Sequence, residues 1–150
     1  MDILTPQDSP GFLMWHATLR WQRVVSLSLH PLRLTHVQFV LLAGVWWLTR
    51  SGGPPSQLDL AIHAGTDVKM TSQVIRKLEV RGLVTRTQDV NDSRIKRLAV
   101  TPAGAALAIQ AIKVVEAADR SCFGDITDLD EFLGTIRRLA GVPQRRVAAP

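Results

Sequence analysis

The most constraining feature of this sequence is a pair of helix signals separated by a short break. Ser56 can cap a short helix over about 57–63, and an Ala-Gly-Thr run then interrupts it. Asp67 can cap a second helix over about 68–81, which ends before a glycine. A short helix, a tight turn that contains glycine and a second amphipathic helix predict a helix-turn-helix.

The second helix of this pair has one apolar side and one polar side. The apolar stripe, expected to face the core, is formed by Thr71, Val74, Ile75 and Leu78. The opposite side carries Lys69, Ser72, Gln73 and Arg76, with Lys77 beside them. Glutamine and arginine match the hydrogen-bonding edges of adenine and guanine, so this side suits base reading in DNA. An ordinary amphipathic surface helix would show the same pattern, and that alternative stays open.

A β-hairpin is predicted directly after this helix. Residues 83–87 are β-prone, a polar turn follows, and apolar residues recur over 94–100. Asp92 and Arg94 are two residues apart, so on an extended strand they would point the same way and pair. An arginine held by a carboxylate suits the narrow minor groove of DNA. The alternative is a surface ion pair without a role.

Basic charge is concentrated in this same part of the chain. Eight basic residues lie between Lys69 and Arg97 against three acidic ones, so this stretch carries +5, which equals the net charge of the whole chain. A local field of this kind suits a polyanion, of which nucleic acid is the first candidate. A solvated basic face remains possible, because charge alone does not decide between them.

Longer helices are predicted on both sides of this region. Ser9, followed by proline, suits a helix start. The run over 12–29 is apolar on more than one side, which indicates burial against more than its own domain. Thr35 and Gln38 fit a capping box for the next helix, and the Ser-Gly-Gly-Pro-Pro run over 51–55 predicts a loop.

The residues of the hairpin carry a family resemblance. The spacing of the following residues closely resembles the wing signature of the MarR family of bacterial regulators: Arg86, Asp89, Asp92, Arg94, Leu98, Val100, Thr101 and Gly104. The stretch over 70–84 looks like that family's recognition helix running into its wing. Upstream, Leu34, Thr35 and Gln38 extend the likeness, which covers about residues 12–140.

The resemblance implies a mostly α fold with a small hairpin wing. It places a winged helix-turn-helix at about 35–101 and dimerisation helices at about 9–34 and 102–140. The composition of the last ten residues, 141–150, predicts a disordered tail. Its implied function is a homodimeric repressor that binds a roughly palindromic double-stranded operator and leaves it when a small, often aromatic, effector binds. The expected DNA-binding residues are Lys69, Ser72, Gln73, Arg76, Lys77, Arg86, Asp92, Arg94 and Lys96.

Aromatic residues suggest where an effector would bind. The chain has four tryptophans and no tyrosine, and all four lie in the two helices that border the effector cleft in the family the chain resembles. The candidate effector residues are His16, Arg20, Trp46 and Trp47. Packing in the core or between subunits is the competing explanation for the tryptophans.

Other chemistry has little support in the sequence. The single cysteine, Cys122, offers neither a disulfide framework nor a zinc spacing, and no nucleophile–base pair, phosphate loop or dinucleotide motif is present. We therefore expect no enzyme activity, metal or cofactor. With no apolar run long enough to span a membrane and no signal-peptide pattern, the simplest expectation is a cytoplasmic protein. The competing function is a winged-helix module that docks proteins and does not bind DNA.

Overall fold

The computed structural model describes residues 3–143 as six α-helices and one two-stranded antiparallel hairpin. The elements in chain order are α1 (Pro10–Leu29), α2 (His36–Gly52), α3 (Gln57–Ala64), α4 (Val68–Val80), β1 (Val84–Gln88), β2 (Lys96–Val100), α5 (Pro102–Phe123) and α6 (Leu129–Ala140). This confirms the predicted mostly α fold with a small hairpin. No helix within the described residues is both long and apolar enough to cross a membrane.

The helices begin where the sequence predicts, because each predicted cap satisfies a backbone N–H that has no partner inside its helix. Ser9 Oγ accepts from the N–H of Phe12, and Asp67 Oδ1 accepts from the N–H of Met70. Thr35 and Gln38 form a reciprocal capping box at the start of α2. Ser56 forms a second capping box with Asp59 at the start of α3, although the sequence had suggested only the serine cap.

One side of α4 packs into the core, as predicted. All four residues of its apolar stripe are buried, and the core also takes in side chains from α1, α2, α3, the hairpin and α5. The only polar member of the stripe is Thr71, whose hydroxyl donates to the carbonyl of Asp67 at 2.8 Å and shares a hydrogen bond with Thr66 at 2.7 Å. Burial of one side of α4 leaves the opposite, polar side facing outward.

The boundary between α2 and the loop that follows it differs from the sequence prediction. The loop predicted for residues 51–55 is too long, because α2 continues to Gly52 and ends where Gly53 adopts a left-handed φ of +89°. The segment that follows pairs with the hairpin through a single bridge between Ser56 and Arg97, next to a hydrogen bond from the Leu98 N–H to the carbonyl of Pro55. Pro54 and Pro55 have no N–H to donate, so strand pairing cannot extend beyond this single bridge.

The second strand is shorter than predicted. It begins at Lys96 and pairs with β1 from Gln88↔Lys96 to Val84↔Val100. Arg94 therefore lies in the turn of the hairpin and not on a strand. Three turn N–H groups are held by aspartate side chains, and such local hydrogen bonds favour a turn over an extended chain.

Residues 141 and 142, which the sequence placed in the disordered tail, take part in the end of α6. Gly141 adopts the left-handed conformation that ends α6, and the N–H of Val142 donates to the carbonyl of Arg137 at 3.1 Å. Residues 144–150, the rest of the predicted tail, lie outside the described residues.

Candidate nucleic-acid interface

The outward side of α4 carries the residues predicted to read bases. We call Lys69, Ser72, Gln73 and Arg76 the recognition face. Three of them are exposed and Ser72 is half-buried, while Lys77 lies exposed next to them. The α4 backbone is fixed by the buried stripe on its other side, so these side chains project from a rigid support. A helix of this kind, with polar side chains on its exposed side, can enter a major groove.

The turn of the hairpin presents an oriented arginine. Arg94 makes three hydrogen bonds to the Asp92 carboxylate: from its backbone N–H at 3.0 Å, and from Nε and Nη2 at 3.1 Å each. These bonds lower the pKa of Asp92 and raise the pKa of Arg94, so both groups stay charged at neutral pH. The predicted pair therefore forms, although it is a turn and not a strand that brings its members together. With 89% of its side chain exposed, Arg94 extends outward from the turn.

Arg86 joins the hairpin to α4. Its Nε lies 3.2 Å from Glu79 Oε2 and its Nη2 lies 3.3 Å from Glu79 Oε1, which makes a two-point pair between β1 and α4. Only 20% of the Arg86 side chain is exposed. The sequence placed Arg86 among the DNA contacts, but this geometry favours a role in fixing the hairpin against the helix. Lys96, at the start of β2, is exposed as a DNA contact requires.

Arg97 and Asp89 belong to this site, although sequence reasoning assigned neither of them a role in it and Asp89 appeared only as a member of the family signature. Arg97 was counted only as one of many basic residues, yet its Nε donates to Asp89 Oδ2 at 2.7 Å. That hydrogen bond is the largest of the causes that lower the pKa of Asp89. The strand register places Thr87 opposite Arg97 and so brings the end of β1 within reach of the Arg97 side chain, and the sequence alone carries no signal for that register.

The predicted effector residues lie on two helices. His16 and Arg20 are exposed on α1, while Trp46 is half-buried and Trp47 exposed on α2. The centroid of the His16 ring lies 4.4 Å from that of Phe12 on the same helix, with the two rings tilted by 54°. The ring centroids of Trp46 and Trp47 lie 6.4 Å apart. The Arg50 guanidinium carbon lies 5.0 Å from the Trp46 ring centroid, which is a cation–π arrangement.

A polar contact that the sequence did not predict joins α1, α2 and α5. The indole N–H of Trp21 donates to Asp119 Oδ1 at 2.7 Å, and the Trp21 ring meets the His36 ring edge-on at 5.0 Å. Burial lowers the pKa of His36, and the charge of Asp119 opposes that shift only in part. At neutral pH, a neutral histidine therefore lies where α1 and α5 meet α2, the first helix of the winged domain.

Apolar side chains are exposed on both outer helices. All of α1 from Gly11 to Arg20 is exposed, and α6 buries none of its residues. The large apolar side chains that are more than a third exposed on these two helices are Phe12, Leu13, Met14, Trp15, Leu19, Leu27, Leu129, Ile136 and Leu139. A surface this apolar on a chain of this size marks an interaction site.

Acidic, histidine and cysteine side chains do not gather into a potential metal site anywhere in residues 3–143. Cys122, which the sequence analysis set aside, is half-buried near the end of α5.

Comparisons with known proteins agree on one family. The model of the MarR family matches residues 34–96. An HTH-type transcriptional regulator of Bacillus subtilis, YdcH, is 37% identical over 134 residues, which cover 89% of this chain and 91% of that protein. The HTH-type transcriptional repressor Rv2887 of Mycobacterium tuberculosis is 36% identical over 80% of this chain and 84% of its own length.

Solved structures share the fold. The MarR family protein Rv2887 in complex with salicylic acid superimposes with a TM-score of 0.66 at 34% identity, over 87% of this chain and 96% of that one. A mutant MarR from E. coli, complexed with operator DNA, has a TM-score of 0.76 at 23% identity and covers 95% of this chain and 100% of its own. The second likeness supports the fold alone.

Proposed function

This chain belongs to the MarR family, and from that premise we propose that it is a repressor that binds a roughly palindromic operator as a homodimer and is released by a small aromatic effector. It is a DNA-binding transcriptional regulator. The observation that carries the proposal is the linkage of two DNA-binding elements: the Arg86–Glu79 pair fixes the hairpin, with Arg94 at its turn, against the helix that bears the recognition face. A cytoplasmic location is part of the proposal, since operator DNA is the partner.

In the proposed complex, the recognition face lies in the major groove and Arg94 enters the adjacent minor groove. Gln73 and Arg76 contact base edges, and Lys69 and Ser72 contribute to the same surface. Lys77 and Lys96 contact phosphates, which adds affinity without sequence preference. Asp92 acts through Arg94 by holding its guanidinium, and Arg86 is a positioning residue.

We expect the Gln73→Ala and Arg76→Ala variants to lose discrimination between operator and random DNA. Each base-edge contact contributes roughly 1–3 kcal/mol of preference for the correct base. The matched control is Lys77→Ala, which should weaken binding to both DNAs alike and lower the salt dependence. Fluorescence anisotropy with labelled duplexes measures all three variants. If the parent protein binds neither duplex, the competing hypothesis of a winged-helix module that docks proteins and does not bind DNA is favoured.

The exposed apolar surface of α1 and α6 supports the homodimer. A second copy would cover these side chains, and we expect a total buried area above about 2,000 Å², which is typical of obligate dimers. Sedimentation velocity should show a dimer at micromolar concentration. A stable folded monomer under those conditions would contradict the proposal.

The proposed effector site lies between the outer helices and the winged domain, near His16, Arg20, Trp46 and Trp47. A relative that is 34% identical binds salicylic acid, and cationic and aromatic side chains suit an aromatic carboxylate. We expect millimolar salicylate to quench tryptophan fluorescence and to weaken operator binding about fivefold or more, the range of typical allosteric coupling.

Two controls make the effector test specific. Benzyl alcohol, which lacks the carboxylate, should act much more weakly than salicylate. Arg20→Ala should reduce the effect of salicylate while leaving operator affinity without ligand unchanged, because Arg20 lies on α1, away from the recognition face and the hairpin turn. If salicylate changes neither fluorescence nor operator affinity, the proposal fails for this class of compound.

A further inference from the structure

The turn of the hairpin is connected to α3 by a continuous set of side-chain contacts. Arg97, in β2, is central to it: its Nε donates to Asp89 Oδ2 at 2.7 Å, and its Nη1 lies 3.8 Å from Asp59 Oδ2. Asp59 lies in the first turn of α3, where its carboxylate also accepts from the Ser56 N–H. The backbone of Arg97 is bridged to the same segment at Ser56. Arg97 is therefore anchored to the body of the winged domain through both its backbone and its side chain.

Asp89 transmits this anchoring to the turn. One carboxylate oxygen holds Arg97, and the other accepts from the backbone N–H groups of Asn91 at 2.8 Å and Asp92 at 3.1 Å. Asp92 in turn holds the guanidinium of Arg94. The contacts therefore run from Asp59 in α3 through Arg97, Asp89 and Asp92 to Arg94, which is the exposed cation of the turn.

We propose that Arg97 and Asp89 are positioning residues for DNA binding, which fix the turn so that Arg94 is held in the pose that enters the minor groove. This inference rests on the proposed function. Arg97 is not itself a DNA contact, although it belongs to the basic stretch of the chain: 35% of its side chain is exposed, and its guanidinium is engaged by two carboxylates. A held arginine loses less rotamer freedom when it binds than a free one does.

The alternative roles predict different results. If the Asp89–Arg97 pair is only a surface ion pair, its loss should have little effect on either stability or DNA binding. If Arg97 is a phosphate contact, Arg97→Ala should lower the salt slope of binding by about one per hairpin. If charge alone matters, Asp89→Asn should tighten binding to any DNA, because it removes a negative charge beside the duplex.

The decisive variant is Asp89→Asn. The positioning role predicts weaker operator binding by this variant, whereas an effect of charge alone predicts tighter binding. We expect about tenfold weaker binding to an operator that contains an A/T-rich minor-groove segment, because the freed arginine must be ordered on binding. Binding to random G/C-rich DNA should stay equal or become tighter. Glu116→Gln, which removes the same charge on α5 away from the hairpin, is the matched control and should not weaken operator binding.

A double-mutant cycle shows whether the effect passes through Arg94. Asp89→Asn and Arg97→Ala should each weaken operator binding in the parent protein, and neither should weaken it further once Arg94→Ala is present. Arg97→Ala should leave the salt slope unchanged, and Arg97→Lys should restore part of the affinity, since lysine can still pair with Asp89. Circular dichroism at the assay temperature confirms that each variant is folded. If Arg97→Ala does not fold, Arg97→Lys still tests the role of Arg97.

Three results would overturn the positioning role. The first is that Asp89→Asn binds operator as tightly as the parent or more tightly. The second is that Asp89→Asn or Arg97→Ala lowers operator affinity by the same factor when Arg94→Ala is already present. The third is that Arg97→Ala lowers the slope of log K against log salt. In each of these cases the parent protein still recognises its operator and the proposed function stands. If the parent itself does not distinguish operator from random DNA, the proposed function fails and the positioning role fails with it.

Discussion

Operator affinity of the Arg94→Ala variant is expected to fall by roughly thirtyfold or more. In the proposed complex, a dimer would place one Arg94 in each half-site; an oriented contact of this kind contributes about 1–3 kcal/mol, so two of them would contribute about 2–6 kcal/mol. The loss should include the preference for an A/T-rich segment, because a narrow minor groove concentrates the negative potential that attracts arginine. Removal of two charges should also flatten the slope of log K against log salt by up to about 2.

Two related variants provide the controls for Arg94→Ala. Arg94→Lys keeps the charge but cannot reproduce the two-point pair with Asp92, so it should restore the salt slope and only part of the affinity. Asp92→Ala frees the arginine without deleting it and should be milder than Arg94→Ala. Titrations at several salt concentrations give both the affinity and the slope. Should Arg94→Ala bind operator as tightly as the parent with an unchanged slope, the hairpin turn is not a DNA contact in this protein.

The helix-turn-helix could be predicted closely because its determinants are local. Ser56 and Asp67 satisfy backbone amides within three residues of themselves, so their effect does not depend on the rest of the fold. The spacing of the α4 stripe likewise fixes which side is buried once a helix forms. The same spacing predicts that Gln73 and Arg76 lie on the exposed side, and both side chains are exposed.

The hairpin turn was predicted less well, because its geometry depends on side chains that bind the backbone. Asp92 and Arg94 were expected to point the same way on one extended strand and to pair there. Instead, the aspartates of the turn accept from backbone N–H groups and bend the chain. The part played by Asp89 depends on Arg97, eight residues away on the opposite strand. A contact of that kind requires the strand register, which the alternation of residues in the sequence does not define.

The outer helices show a different limit of sequence reasoning. The breadth of the apolar surface on α1 correctly indicated that its own domain would not bury it, and Phe12 and Trp15 are indeed exposed. The contact between Trp21 and Asp119 could not be predicted, because the two residues lie 98 positions apart in the sequence, on different helices. Long-range polar pairs of this kind leave no periodic pattern in the sequence.

The Gly104→Ala variant is expected to lose about 3 kcal/mol of folding stability or more. Gly104 lies in the first turn of α5, where a Cβ would overlap the carbonyl oxygen of Leu83 and lie 2.8 Å from its carbonyl carbon. That carbonyl already accepts the N–H of Thr101, whose hydroxyl donates to Gly82 at 2.6 Å and accepts from the N–H of Gly104. These hydrogen bonds hold the segment before β1 against the start of α5. The backbone at Leu83 therefore cannot move away from an added methyl group without breaking them.

Gly52→Ala is the matched control, because it makes the same chemical change in the last turn of α2, where a Cβ meets no atom within 4 Å. In a helix this replacement should be neutral or stabilise by up to about 1 kcal/mol, since alanine has the higher helix propensity. Urea unfolding of both variants, followed by circular dichroism, gives the two free energies. A displaced β1 would also move Arg86 and the hairpin, so Gly104→Ala should weaken operator binding even below its unfolding midpoint. If both variants unfold at the parent's urea concentration, the close approach of α5 to Leu83 is not a feature of the folded protein.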